Sequence, residues 1–201
     1  LCETLAKTGL CADCISAVLV THSHSDHTKG LVTLAKKLSV PFYSGVDIDG
    51  CEKLCGALDI DGMHITSFAC CHDVDCVGYK ISAEGKTLAV ATDTGVVTEC
   101  MLGELTGCDA VMLECNHDPE MLRTGPYPYQ LKQRIASQEG HLSNIDCAKA
   151  ITFLAHSGTR VAVLAHLSET NNPPLVAMHT VRQELERYGL QESIKLYCAE
   201  T

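Results

Sequence analysis

The chain has 201 residues, 46% of them hydrophobic, with no Trp and a formal net charge of −10. That length suits one domain with a full core, and no apolar run approaches the ~20 residues that span a bilayer. No charged-then-apolar start indicates a signal peptide, so we expect no membrane partner. The acidic balance argues against indiscriminate binding of nucleic acid, although it is compatible with a local basic groove.

Hydrophobic periodicity predicts strands and helices along the whole chain. Residues 1–9 are expected to be a short helix remnant. Strands are predicted over residues 15–21, 41–43, 64–69, 74–82, 87–91, 110–113, 160–165 and 193–197. Helices are predicted over 28–38, 48–57, 98–105, 144–156 and 174–188, and residues 119–137 are expected to be helical or irregular with a break at two prolines. Mixed elements over this length favour one two-sheet sandwich with outer helices.

The sequence contains 13 cysteines, a high and odd number. Because they are scattered through core-like runs, they do not indicate a disulfide framework. Cys11-x-x-Cys14 and Cys51-x-x-x-Cys55 could be metal or redox pairs, but no second CxxC follows at zinc-ribbon spacing. We therefore expect small buried hydrophobes in the reducing cytoplasm.

A dense group of metal-ligand residues follows the first predicted strand, in the order His22-Ser23-His24-Ser25-Asp26-His27. Strand ends are the usual place for ligands in open α/β sheets, and imidazoles and carboxylates bind zinc and similar ions. Alternate side chains of an extended turn point the same way, so His22 and His24 can hold one ion while Asp26 and His27 serve a second. The alternative is a histidine-rich polar loop, which four such residues at this spacing disfavour.

This motif resembles the signature of the metallo-β-lactamase superfamily, whose hydrolases hold one or two metals between the sheets of an αββα sandwich. The resemblance implies an α/β fold class (α+β in some schemes). It also implies that His72 completes one site with His22 and His24, that His166 joins Asp26 and His27 at the other, and that Asp93 bridges both. Each later residue has a local alternative: a loop histidine for His72, a turn-forming aspartate for Asp93 and a core histidine for His166.

Two further motifs narrow the resemblance, namely Asn116-His117-Asp118-Pro119 and Gly140-His141-Leu142-Ser143-Asn144. The second precedes a predicted helix whose N-terminus suits a phosphate, and a nearby histidine could protonate a leaving alkoxide. The combination is most similar to the YycJ/WalJ-type subgroup, bacterial cytoplasmic proteins regarded as metal-dependent DNA exonucleases. Between the motifs, cations interleave with aromatics at Arg123, Tyr127, Tyr129, Lys132 and Arg134. This pattern suits either a nucleic-acid groove or a solvated helix face.

The family's N-terminal paired strands and Gly-Ser-Ser-Gly-Asn turn have no counterpart here. We therefore expect residues 1–201 to form a single, N-terminally truncated domain with an incomplete first sheet. An open sheet edge would favour self-association, so a homo-oligomer is a possible assembly.

The resulting expectation is a phosphodiester hydrolase with two divalent ions, zinc or manganese, that degrades DNA from 5′ to 3′ through a hydroxide held between the metals. Asp26, His141 and His117 are expected to be catalytic. The expected substrate contacts are Ser143, Asn144, Asn116, Arg123 and Arg134. The alternatives are a thioester or lactone hydrolase of the same fold and a catalytically inert metal-binding protein.

Overall fold

The computed structural model describes residue 9 and residues 11–199, and a pair of sheets lies at the centre of this described region. The smaller sheet has three parallel strands in the order β1-β2-β3, with bounds β1 (Val18–Val20), β2 (Phe42–Ser44) and β3 (Glu52–Lys53). A 3-10 turn, Ala12–Cys14, precedes β1. Each of these strands is only two or three residues long, so the smaller sheet depends on packing against its neighbour.

The larger sheet has seven strands in the order β10-β9-β8-β7-β6-β5-β4. Pairing is antiparallel from β4 to β7 and parallel from β7 to β10. The strands are β4 (Ala57–Ile60), β5 (Met63–Cys70), β6 (Cys76–Ala83), β7 (Lys86–Ala91), β8 (Ala110–Glu114), β9 (Val161–Ala165) and β10 (Lys195–Cys198). Because β7, β8 and β9 run parallel, the residues that follow them meet at one edge of the sheet.

Seven α-helices complete the described region of the chain: α1 (Ser25–Thr28), α2 (Leu31–Ala35), α3 (Glu99–Leu105), α4 (Pro119–Thr124), α5 (Tyr129–Ile135), α6 (Asn144–His156) and α7 (Pro174–Arg187). Strands β8 and β9 are almost entirely apolar, as expected of parallel strands covered on both faces. Their buried side chains join those of α6 and α7 in the main hydrophobic core. Within residues 11–199, no helix has the length and apolarity needed to cross a bilayer.

Tyr79 and Val77 of β6 join the smaller sheet to the larger one, and the backbone N–H of Val77 donates to the Thr21 carbonyl at 3.0 Å. The Tyr79 hydroxyl donates to the carbonyl oxygen of Val20 at 2.6 Å and accepts from the backbone N–H of Gly45 at 3.2 Å. A second, small core of Leu54, Ile65, Val77 and Tyr79 lies beneath it. These contacts hold the end of β1, and therefore the histidine motif that follows it, against the larger sheet.

The predicted α/β class, with two sheets and outer helices, is confirmed, and most predicted elements occur close to their expected places. The helix predicted over 48–57 is wrong: this segment contains β3 and the first residue of β4. Gly50 and Gly56 both adopt φ of +83°, a conformation that interrupts a helix. The helix predicted over 28–38 is divided at Lys29 and Gly30, strand β4 was not predicted, and the remnant helix of 1–9 lies, apart from residue 9, outside the described residues.

The cysteines differ more in environment than their sequence pattern indicates. All the described cysteines are free thiols, and Cys76, Cys108, Cys115 and Cys147 are buried as expected. The expectation is wrong for the remaining ones, because Cys11, Cys14, Cys55 and Cys100 are exposed and the others are half-buried. Core packing therefore does not account for the exposed cysteines, whose thiols are accessible to reagents in solution.

Candidate metal centre and adjoining cavity

The predicted ligands lie at one edge of the two sheets, on loops and, for Asp26 and His27, on the short helix α1. His22 and His24 follow β1, His72 lies between β5 and β6, and Asp93 and His166 follow β7 and β9. Asp93 and His166 adopt φ of +58° and +56°. Such left-handed backbone is uncommon for residues other than glycine and is often found at functional sites. The turn after each strand thus directs a polar side chain toward the same region.

Three imidazole nitrogens meet in a first cluster. Nδ1 of His24 lies 3.1 Å from Nε2 of His22 and 3.3 Å from Nε2 of His72. Zinc–nitrogen bonds of ~2.0–2.1 Å in tetrahedral geometry place ligand atoms roughly 3.3 Å apart, so the spacing fits one divalent ion. The outer nitrogens are also anchored, since Nδ1 of His72 donates to the Gly140 carbonyl at 3.1 Å. Such an anchor fixes the ring with Nε2 toward the ion.

A second cluster is built around Asp93. Its Oδ2 lies 3.7 Å from Nε2 of His27, and its Oδ1 lies 3.4 Å from Nε2 of His166. The Asp93 side chain is almost completely buried, and Oδ2 has no hydrogen-bond partner among the described residues. A buried carboxylate oxygen without a partner is costly unless a cation neutralises it. Asp93 also groups with His22 and His27, so it lies between the two clusters.

Asp26 lies at the rim of the centre, and the structure does not group it with His166. Its side chain is 69% exposed, and Oδ2 is 3.7 Å from Nε2 of His27. Partial burial acts to raise the pKa of Asp26, but the backbone N–H of Asp26 and the ring of His27 outweigh it and hold that pKa below its usual value. Asp26 therefore offers an ionised carboxylate close to the second cluster.

Glu114, at the end of β8, was not among the predicted site residues. It is completely buried, and Oε1 accepts hydrogen bonds from Nδ1 of His141 at 2.8 Å and Nδ1 of His166 at 2.7 Å. Oε2 accepts from the backbone N–H of Thr94 at 2.7 Å and of Leu142 at 3.3 Å. One carboxylate thus orients two histidines and two loops. An acidic residue directly after an apolar strand was the sequence signal that could have identified it.

The charges of this network follow from its hydrogen bonds. Burial acts to raise the pKa of Glu114, but donation from His141 and His166 outweighs it and lowers that pKa to about 2. Burial acts in the opposite direction on His166, yet Glu114 and then Asp93 raise its pKa to about 9. Burial, reinforced by the neighbouring histidines and opposed by Asp93, lowers the pKa of His22 to about 4. At neutral pH these pKa values make the His22 ring neutral, which is the form that binds an ion, and the His166 ring positively charged.

Asp73 and Arg134 form an ion pair beside the first cluster. Oδ1 of Asp73 lies 3.2 Å from Nε2 of His24, and Nε of Arg134 donates to Oδ2 at 3.0 Å. Partial burial acts to raise the pKa of Asp73, but the hydrogen bond from Arg134, with further help from His72, lowers it below the usual range. This pair holds the Arg134 guanidinium at the edge of the metal centre.

A cavity of about 410 Å³ opens next to both clusters. Its walls come from the metal centre, the segment that contains α5, and the loop after β9. The lining residues are His72, Asn116, Tyr127, Leu131, Arg134, Ile135, Gly140, His141, His166, Leu167, Ser168, Glu169 and Thr170. A volume of this size falls in the ordinary range for small-molecule sites, so a substrate group bound here would lie against His141 and His166.

Two glycines allow the loops around this cavity to approach closely. A Cβ on Gly95 would lie 2.3 Å from the carbonyl oxygen of Gln138, and one on Gly140 would lie 2.1 Å from that of Arg134. The backbone N–H of Gly95 also donates to the Cys71 carbonyl at 2.9 Å. Gly95 therefore joins the loop that precedes His72 to the loop that precedes His141.

Several predicted substrate residues lie elsewhere. Asn144, a predicted substrate contact, is completely buried, and its amide exchanges two hydrogen bonds with Asn172 instead of facing the cavity. The Ser143 hydroxyl caps α6 and donates to Asp146 at 2.8 Å. Arg123 is exposed, outside the cavity lining and paired with Glu120. These three residues stabilise local structure instead of facing the metal centre.

His117 and Asn116 have different positions. His117 is almost completely buried and outside the cavity lining, and its Nδ1 has no partner among the described residues. Burial lowers its pKa, and its enclosed position outside the cavity lining keeps the ring away from a substrate bound there. Asn116 lines the cavity, and its Nδ2 donates to the His166 carbonyl at 2.9 Å. It helps to hold the left-handed turn that carries His166.

Comparison with known proteins identifies the relatives of this chain. Residues 55–167 match the β-lactamase superfamily domain. The exodeoxyribonuclease YycJ of Bacillus anthracis is 36% identical over an alignment of 201 positions, gaps included, that covers 91% of this chain and 76% of that protein. The exodeoxyribonuclease WalJ of Streptococcus pneumoniae is 34% identical over an alignment of 203 positions with the same coverage. The crystal structure of the metallo-β-lactamase fold protein YhfI from Bacillus subtilis superposes with a TM-score of 0.72 at 16% identity, over 98% of this chain and 80% of that one.

Proposed function

This chain belongs to the metallo-β-lactamase superfamily and is a metallohydrolase similar to YycJ and WalJ, and we propose that it is a DNA exonuclease acting from 5′ to 3′ as a single domain. Both relatives are named exodeoxyribonucleases. The observation that carries the proposal is the position of His141, which lines the cavity beside the metal centre and is held by the buried Glu114. A phosphodiesterase needs a proton donor at this point, because the alkoxide that leaves phosphorus is a poor leaving group unless it is protonated.

The residues present fit divalent metal ions, which follows from the spacing of the three imidazole nitrogens and the unpartnered Asp93 oxygen. We propose two ions, one held by His22, His24 and His72, and the other by His27, His166 and the rim carboxylate of Asp26, with Asp93 between them. Imidazoles favour zinc, whereas carboxylates also suit manganese. When bound, such ions lower the pKa of water and neutralise charge on a phosphoryl group.

The protein's own contribution to the reaction is to place and move a proton. Glu114 binds Nδ1 of His141, which leaves Nε2 of the ring for the departing oxygen. The hydrogen bond to Glu114 fixes the orientation of the ring, from whose Nε2 a proton would pass to that oxygen. His117, enclosed behind this ring, supports the loop instead of contacting the substrate: its carbonyl accepts a hydrogen bond from the backbone N–H of Asn144.

Arg134 and Tyr127 are the cavity residues that suit a nucleotide. Arg134 presents a guanidinium whose position Asp73 fixes, and a fixed guanidinium binds phosphate well. Tyr127 offers an aromatic ring that can stack on a base. Ser143 and Asn144 are omitted from the proposed contacts, since their side chains are engaged in the α6 cap and the Asn172 pair. The free thiols of the described cysteines support a cytoplasmic setting.

His141→Ala is the decisive variant. Replacement should leave the metal content unchanged and reduce cleavage of labelled DNA by ~10²–10⁴-fold, the usual contribution of a general acid. His64→Ala is the matched control, because His64 is an exposed histidine paired with Asp59 away from the metal centre. Measurements on single- and double-stranded DNA, RNA, a small phosphodiester and a thioester would identify the substrate class, and substrates blocked at either end would give the polarity.

Three results would contradict the proposal. The first is DNA cleavage by the metal-loaded His141→Ala variant at the wild-type rate. The second is turnover of thioesters or lactones but not of phosphodiesters by the wild-type protein, which would favour the small-molecule hydrolase. The third is metal binding without turnover of any of these substrates, which would favour the inert metal-binding protein.

The two arginines provide a second comparison. Arg134→Ala should weaken DNA binding and reduce the slope of log affinity against log salt by about 1, as expected for one lost phosphate contact. Arg123→Ala should change neither quantity, because Arg123 is paired with Glu120 outside the cavity lining. Equal effects of the two variants would show that the cavity does not hold the phosphate.

A further inference from the structure

A pair of exposed thiols lies apart from the metal centre, at the turn that precedes β1. Cys11 directly precedes the 3-10 turn and Cys14 is its last residue, and their sulfur atoms are 3.3 Å apart. Both residues are exposed. No group of three or more potential metal ligands in the described region of the chain includes either of them. The pair therefore needs an explanation other than core packing or a closed metal site.

The backbone geometry of the turn suits a disulfide. The backbone N–H of Cys14 donates to the Cys11 carbonyl at 3.1 Å. A turn closed in this way keeps its end Cα atoms within ~7 Å of each other, and disulfides join Cα atoms roughly 4.4–6.8 Å apart. With the sulfur atoms already in contact, small rotations of the two side chains are enough to form the bond.

The local environment also favours reaction at Cys14. Hydrogen bonds from the backbone and the thiol of Cys11 lower the pKa of Cys14 below its usual value, although Asp13 opposes them. Exposed thiols with a lowered pKa are the ones that react in disulfide exchange. The neighbouring strands provide a contrast: Cys70 and Cys76 are paired across β5 and β6, but Cys76 is buried, and its pKa is raised by Cys70 and by burial.

We propose that Cys11 and Cys14 form a reversible disulfide by exchange with low-molecular-weight disulfides, which makes this turn a redox modification site. The Cys14 thiolate attacks one sulfur of the small disulfide, forms a mixed disulfide and releases one small thiolate. The Cys11 thiolate then attacks Sγ of Cys14 and displaces the second small thiolate. The protein loses two electrons and two protons, and the small disulfide is reduced to two thiols.

The test uses the whole protein and oxidised glutathione, with alkylation and mass spectrometry of unreduced peptides. The wild-type protein should yield a peptide cross-linked between Cys11 and Cys14 that dithiothreitol reverses. Cys11→Ser should stop at a mixed disulfide on Cys14, and Cys14→Ser should yield no cross-link. Cys100→Ser is the matched control, because Cys100 is exposed but has no described thiol in contact, and it should retain the cross-link.

Two outcomes would overturn the proposal. The first is accumulation of glutathione on both Cys11 and Cys14 of the wild-type protein without a cross-link. The second is alkylation of Cys14 no faster than that of Cys100 at pH 7.5, which would show that the neighbouring Cys11 does not activate it. Neither measurement depends on nuclease activity, so the result is independent of the proposed function.

Discussion

The two clusters of the metal centre differ in how extensively the strands that carry most of their residues are packed. His166 and Asp93 follow strands of the larger sheet, whose β7, β8 and β9 enter the main core. His22 and His24 follow β1 of the smaller sheet, beneath which lies the small core of Leu54, Ile65, Val77 and Tyr79. Glu114 links the second cluster to the backbone of two loops, whereas each ring of the first cluster has its own separate outer partner and no group joins all three.

This difference has a physical consequence for how each cluster is organised. The second cluster carries its own polar framework, because a buried carboxylate accepts four hydrogen bonds and fixes two rings. The first cluster brings three ring nitrogens together beside a single carboxylate, Asp73, which is also paired with Arg134. An ion would supply most of the attraction that holds these rings together. We therefore expect the second cluster to be preorganised and the first to depend more on the metal.

Glu114→Gln should have the largest effect, because it removes the framework of the second cluster. Breaking a buried hydrogen-bonded charge pair costs ~3–5 kcal/mol of unfolding free energy, and loss of an outer partner of a ligand weakens metal binding ~10–100-fold. Denaturant unfolding and metal analysis would measure both. Glu104→Gln, which breaks an exposed pair with Lys80, should change stability by no more than ~1 kcal/mol. Equal effects of the two variants would contradict the assigned role of Glu114.

Gly95→Ala should have the next largest effect, since its Cβ would collide with the backbone of Gln138 and Ser137. We expect a loss of ~1–3 kcal/mol in unfolding free energy from overpacking and a ~10²-fold loss of activity from displacement of the His141 loop. Gly103→Ala is the control: it lies in α3 with no described heavy atom within 4 Å of the added Cβ, and it should be stabilising by ~0.5–1 kcal/mol. Wild-type activity of Gly95→Ala would show that this contact does not position His141.

His24→Ala should affect the metal more than the fold. Its ring is partly exposed and faces His22 and His72, so the unfolding free energy of the metal-free protein should change by no more than ~0.5 kcal/mol. The protein should nevertheless lose the ion of the first cluster and keep the other, as measured by metal analysis after dialysis. Loss of both ions at once would show that the clusters are not separately organised.

The smallest expected effect is a proton released on metal binding. The pKa of His166 is raised to about 9 in the metal-free protein, chiefly through Glu114 against the opposing effect of burial, so its ring is protonated at pH 7.5. An ion at Nε2 must displace that proton. Calorimetry in buffers of different ionisation enthalpy should therefore detect about one proton more for the wild-type protein than for Glu114→Gln. Release of the same number of protons by both proteins would show that Glu114 is not the group that raises the pKa of His166.

The ligand motifs and most of the elements were predictable from the chain alone, for a local reason. Apolar runs such as residues 110–113 and 160–165 can only be buried, and they occur in the structure as β8 and β9. The histidine motif is contiguous, so its chemistry is visible without a fold. The helix predicted over 48–57 failed because Gly50 and Gly56 adopt a left-handed conformation that apolar spacing does not reveal.

Contacts between segments that are distant in the sequence could be identified only in the tertiary structure. The chain itself determined an α/β sandwich with ligand-type residues at its strand ends, since hydrophobic periodicity and residue chemistry are local properties. That Glu114 holds His141 and His166 together, that Arg134 is paired with Asp73, and that Asn144 is enclosed became apparent only in the fold. These contacts join residues 27 to 61 positions apart, and the folded backbone, not the local sequence, sets such distances.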